Sequence, residues 1–232
     1  MFETEPAMNA HQNQTSCISP MELQHWEELF QSKITEIATP DDPAHDLLHF
    51  KRVVSLAKKI AQEEQAKLEI VVPAAWLHDF VIVSKSNPLR SKASKMSAEK
   101  AVEYLKAIHY PQEYYEAIAH AIEGHSFSAN IEIHSIEAKI VQDADRLDGL
   151  GAIGIARCFA TAGLLKRPFY SENDPFCINR NPNDSHYTID HFYQKLFKTA
   201  ESLKTTAGRK EGFARIETMK TFLSALAHEL EY

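Results

Sequence analysis

Only seven of the 232 residues are glycine, and that scarcity narrows the folds open to this chain more than any other feature. Tight hairpins lean on glycine to reach positive φ, whereas helices are better without it. A sheet-rich domain is therefore disfavoured, and hydrophobic periodicity supplies the positive argument for helices. Ser19-Pro20-Met21-Glu22 places an N-cap, a first-position proline and a capping-box glutamate ahead of Trp26, Phe30, Ile34 and Ile37, which predicts a helix over about 20–38. Thr39-Pro40-Asp41-Asp42-Pro43 breaks it, and a second helix is expected from about Asp46 to Gln65, with His49, Val53, Ala57 and Ile60 on one face. The stretch from Ile70 to Asp79 is apolar nearly all round, the pattern of a central buried helix.

Further on, a basic loop is expected over 83–95. Ser97 is expected to cap a helix ending near His109, and Pro111 to open another that stops at Gly124, a residue suited to the position after a helix end. Another helix should run from about Ser135 to Leu150, followed by one over Gly151–Gly163, a Pro/Asn/Asp-rich loop over 166–188, and two C-terminal helices with a break near Gly208. Residues 1–18 carry no periodicity and read as a tail. The expectation is a single all-α domain over 19–232: a compact helical bundle with a C-terminal helical extension.

Several function classes are excluded by composition. A formal net charge of −7 argues against binding a nucleic-acid polymer through phosphate neutralisation. No apolar run approaches the roughly 20 residues that span a bilayer. The N-terminus has neither a basic segment nor an apolar core typical of export signals. Three scattered cysteines, Cys17, Cys158 and Cys177, form neither a disulfide framework nor a zinc motif and suit a reducing cytoplasm. Oligomeric state leaves no readable mark.

Three sequence-distant places offer metal ligands: His49, the pair His78-Asp79, and the acidic run Asp143/Asp145/Asp148. Burying a histidine beside an aspartate is costly unless both are paired or hold an ion. Two imidazoles and two carboxylates leave open positions on a divalent ion, which is what metal-assisted hydrolysis requires. The dipeptide His45-Asp46 reads instead as a helix cap. Helical spacing alone leaves the last ligand open. Asp143 joins the Ile136/Ile140/Leu147 stripe, and Asp145 lies about 200° from it. Arg52 follows His49 by three residues, on nearly the same face, where it would hold a carboxylate ligand or a phosphate.

The order His49…His78-Asp79…Asp145, with HFKRV, AAWLHDF and VQDADRLD around these residues, resembles the HD superfamily of metal-dependent phosphohydrolases. HAIEGHSFS at 120–128, GAIGIAR at 151–157, DPF at 174–176 and DHFYQKL at 190–196 extend the likeness to a small bacterial branch, over roughly residues 25–230. The resemblance implies His49, His78, Asp79 and Asp145 as ligands of one divalent ion (Mn²⁺, Mg²⁺, Co²⁺ or similar); Asp143 stays as the runner-up to Asp145, expected beside the ligands. It implies catalytic roles for Asp79, His125 and Arg52. For the substrate it suggests Lys85 and Arg90, within SKSNPLR, and Lys195. The implied activity is hydrolysis of a small anionic phosphorylated metabolite, in particular a nucleoside triphosphate cleaved to monophosphate and pyrophosphate. The alternatives are a cyclic-nucleotide phosphodiesterase and a metal- and nucleotide-binding sensor without turnover.

Overall fold

The computed structural model describes residues 18–38, 46–83, 87–126 and 131–232. Lys85, His45, the break at 39–43 and all but one residue of the expected tail lie outside them. The described residues form helices and connecting turns with no strand. In chain order these are α1 (Pro20–Ile37), α2 (Leu47–Glu64), α3 (Leu68–Leu77), α4 (Ala93–Ala107), α5 (Tyr115–His125), α6 (Ile136–Asp148), α7 (Gly151–Leu164), α8 (Phe197–Glu201) and α9 (Thr206–Glu229). Among the described residues no single helix is long and apolar enough to cross a membrane.

Local chemistry sets most boundaries. Ser19 and Glu22 form the reciprocal capping box of α1, and Asp46 caps α2 by accepting from the His49 N–H at 2.7 Å. The centre of the molecule is α3, whose residues from Ile70 to Leu77 are all buried. Pro73 lies inside this helix and cannot donate to the Glu69 carbonyl one turn earlier. The Tyr110 hydroxyl donates to that carbonyl at 2.6 Å, so the helix passes through the proline without leaving it unsatisfied. Around α3 pack α1, α2, α5 and α6, while α7, α8 and α9 form the C-terminal extension against α6. Phe159 of α7 meets Phe222 of α9 edge to face at 5.8 Å.

Several expected boundaries differ. Helix α5 opens at Tyr115 rather than Pro111, after a 3₁₀ turn at Gln112–Tyr114. At three places a segment outside the helix packs on the residue that looked like a terminator. Helix α4 begins at Ala93, after a 3₁₀ turn at Pro88–Lys92, so Lys95 is helical and the basic loop is shorter than expected. Ser97 is consequently not a cap. It is buried inside α4, and its hydroxyl accepts from the Val81 N–H at 3.0 Å. Gly124 does not end α5, which continues to His125; a Cβ there would sit 2.2 Å from Ile133 Cγ2. Gly208 is likewise helical, with the break falling at 202–205; a Cβ at Gly208 would meet Asp143 Oδ2 at 2.5 Å.

Candidate metal centre

Four helices aim side chains at one point. His49 lies in the first turn of α2, His78 caps the C-terminus of α3 with Asp79 next to it, His125 is the last residue of α5, and Asp145 sits near the end of α6. The Nε2 atoms of His49 and His78 are 3.3 Å apart. Asp145 Oδ1 stands 3.6 Å from the first and 3.9 Å from the second. Asp79 Oδ2 is 3.6 Å from His78 Nε2. Ligand atoms of His49, His78 and Asp79 all fall within 4.8 Å of one another.

The far side of each ring decides what its near side offers. His78 Nδ1 faces the Ala75 carbonyl at 2.8 Å, and His125 Nδ1 faces the Ile122 carbonyl at 2.6 Å. A carbonyl only accepts, so both Nδ1 atoms carry protons. His49 Nδ1 faces Asp148 Oδ2 at 2.8 Å, which holds the same tautomer. Two imidazole lone pairs therefore meet at 3.3 Å beside two carboxylates. Such a set repels itself in the absence of a cation and suits a divalent one. The donor set thus fits the ion that the sequence pattern implies.

Electrostatics separates the histidines. Burial pushes His78 down to about 4, against the pull of the Asp79 carboxylate, leaving the neutral ligand form at physiological pH. Burial also works against the charged form of His125. Its hydrogen bond and charge interaction with Asp79, reinforced by Asp145, outweigh that and raise it to about 9. His125 Nε2 stands 3.4 Å from Asp79 Oδ1, so the two oxygens of Asp79 face different neighbours.

Two further residues complete the arrangement: Asp148, expected only as part of an acidic run offering ligands, and Arg157, for which no role was expected. Asp148, 2% exposed, accepts from His49 Nδ1, from Arg52 Nε at 2.6 Å and Nη2 at 3.1 Å, and from Arg157 Nη1 at 2.5 Å. Burial acts to raise its pKa, but the bonds from His49 and Arg52 and the Arg157 charge hold it well below the usual carboxylate range. Asp148 follows Asp145 by the same three-residue step that separates Arg52 from His49, a signal that could have paired them. Arg157 had only the GAIGIAR likeness to mark it. Arg52, expected to hold a carboxylate ligand or a phosphate, grips Asp148, a carboxylate outside the ligand set.

The other expected residues make different contacts. Asp143 does not support the ligands; its buried carboxylate accepts from the backbone N–H of Lys204 at 2.9 and 3.0 Å, from that of Thr205 at 2.7 Å and from the Thr205 hydroxyl at 2.8 Å. Arg90, half-buried in the 3₁₀ turn, donates to the Val83 carbonyl at 3.1 Å. Lys195 is exposed on the π-turn Phe192–Leu196, and no described contact joins it to the histidine cluster.

Comparison with known proteins gives the family and the fold. A family model described as the HD domain matches residues 47–150, from the start of α2 to the residue before α7. YpgQ of Bacillus subtilis is 30% identical over 207 residues, covering 88% of this chain and 93% of YpgQ. The crystal structure of YpgQ in complex with ADP superposes with a TM-score of 0.70 at 28% identity, covering 89% of this chain and 96% of that one. An HD-superfamily hydrolase from Bacillus thuringiensis gives a TM-score of 0.71 at 32% identity, covering 90% and 98%.

Proposed function

Because the chain belongs to the HD superfamily, whose solved relatives include proteins described as hydrolases, we propose that it is a divalent-metal-dependent phosphohydrolase of small phosphorylated metabolites, with nucleoside triphosphates, cleaved to monophosphate and pyrophosphate, as its substrates. The observation that carries this reading is the meeting of the His49 and His78 lone pairs at 3.3 Å beside Asp79 and Asp145. These four residues would hold the ion. When bound, a divalent ion acidifies a water and polarises a phosphoryl oxygen.

The chain's own groups have separable tasks. Asp79 presents one oxygen to the ligand set and the other toward His125, which suits it to orient the attacking water. His125, kept protonated by Asp79, places a positive charge beside the point where negative charge builds on the transferring phosphoryl group. As the water oxygen bonds to phosphorus, the bond to the leaving oxygen breaks. Arg90 enters this reading through its place on the 3₁₀ turn shortly after Asp79. Lys85 and Lys195 enter it through the family likeness of their segments. The ADP bound by YpgQ supports a ligand with linked phosphates.

The test is turnover of wild-type protein and Asp79→Ala on nucleoside triphosphates, cyclic nucleotides and a generic phosphodiester. Pyrophosphate release from triphosphates, lowered about 100-fold or more by the substitution, is the expected result. Cleavage confined to cyclic nucleotides would make it a phosphodiesterase, and nucleotide binding without turnover would make it a sensor.

A further inference from the structure

Asp148 accepts four hydrogen bonds beside the cluster, yet no ligand atom of the proposed ion site comes from it. Its Oδ2 accepts from His49 Nδ1 at 2.8 Å and from Arg157 Nη1 at 2.5 Å, and Arg52 spans both of its oxygens. It shares a helix face with Asp145, one turn away, so an unrestrained carboxylate there would compete for a cation. The arginines come from different helices, Arg52 from α2 and Arg157 from α7. Together they fix the carboxylate against the outer edge of the His49 ring.

We infer that Asp148 is a positioning residue for the ion site: it locks His49 in the tautomer and orientation that send Nε2 inward, and Arg52 with Arg157 keeps it from becoming a ligand itself. This rests on the metal-site reading above and adds a role for α7, which lies outside that site. A ring nitrogen bonded to a carboxylate is also a stronger base at its other nitrogen, so affinity for the ion depends on Asp148 as well as on the ligands. Because Oδ2 serves both His49 and Arg157, moving α7 would change how His49 is held.

The experiment measures metal binding without substrate. Chelator-stripped wild-type protein, Asp148→Asn and Arg157→Gln are titrated with Co²⁺, following both the visible absorption spectrum and calorimetric affinity, and the metal-free proteins are melted in parallel. For Asp148→Asn the expected loss of affinity is about 10–100-fold, with an altered Co²⁺ spectrum. Arg157→Gln should weaken binding by a smaller factor and shift the spectrum in the same sense. It remains informative if Asp148→Asn does not fold, because Arg157 is partly exposed. Folded variants that bind Co²⁺ with wild-type affinity and spectrum would overturn the assignment of Asp148 alone. Absence of Co²⁺ uptake by wild-type protein would remove the metal site itself, and the inference with it.

Discussion

Replacing Asp143 with alanine should destabilise the protein and leave its metal affinity nearly untouched. The carboxylate is fully buried and accepts from the Lys204 N–H, the Thr205 N–H and the Thr205 hydroxyl. The hydroxyl keeps one bond without Asp143, because it also accepts from the Gly208 N–H at 2.9 Å as the cap of α9, and its rotor can turn its proton to another acceptor. The Thr205 N–H is buried and the Lys204 N–H partly so. A buried donor left unmet costs about 1–3 kcal/mol, and a partly buried one falls toward the lower figure. Burial pushes the Asp143 carboxyl up in spite of its bonds, so removing it also relieves desolvation and brings the total toward the lower end, about 2–3 kcal/mol. In a chain of this length each kcal/mol shifts Tm by about 2–4 °C, so a fall of about 4–12 °C is expected. Thermal melts followed by circular dichroism give the shift, and Mn²⁺ titration gives the affinity. An unchanged Tm with a large loss of Mn²⁺ binding would refute the reasoning and return Asp143 to the ion site.

Elsewhere, Arg180 grips the buried Asp190 through two bonds of 2.5 and 2.7 Å. Burial acts to raise the Asp190 pKa, but the Arg180 and Asn183 bonds outweigh it and lower the value. A depressed carboxyl contributes stability above its unfolded pKa of about 3.9 and loses it as pH falls through the folded value. Asp190→Asn should therefore lower Tm at pH 7, with the gap to wild type closing in melts run below about pH 4; a gap independent of pH would contradict this. Arg90→Ala should raise KM for a nucleoside triphosphate several-fold while leaving hydrolysis of a singly charged phosphodiester little changed, as judged by steady-state kinetics; equal effects on both substrates would remove Arg90 from the substrate site.

The helical architecture was legible in glycine scarcity and apolar periodicity because both record which residues face a core. His49, His78 and Asp79 could be marked because each combines a ligand-type residue with an apolar helical setting, whereas Asp145 was marked only by the family likeness. The structure brings all four side chains close together. Asp143 shows where such reading stops. The stripe it shares with Ile140 and Leu147 correctly implied burial, but a stripe does not say what lies against it, here the turn between α8 and α9. Ser97, Gly124 and Gly208 were misplaced for a related reason. Local rules treat serine and glycine as punctuation, whereas here a distant segment needs a hydroxyl acceptor or the absence of a Cβ. Arg157 was hidden because its partner lies across the turn joining α6 and α7, where periodicity carries no information.

The central claim is that His49, His78, Asp79 and Asp145 hold a divalent ion on which phosphohydrolysis depends. It is tested most directly by stripping the protein with chelator, restoring Mn²⁺ in steps, and measuring bound metal and pyrophosphate release in the same samples. The expected result is no activity in the stripped protein, recovery in proportion to occupancy up to about one ion per chain, and neither binding nor recovery in Asp145→Asn. Full pyrophosphate release from rigorously metal-free protein would contradict it.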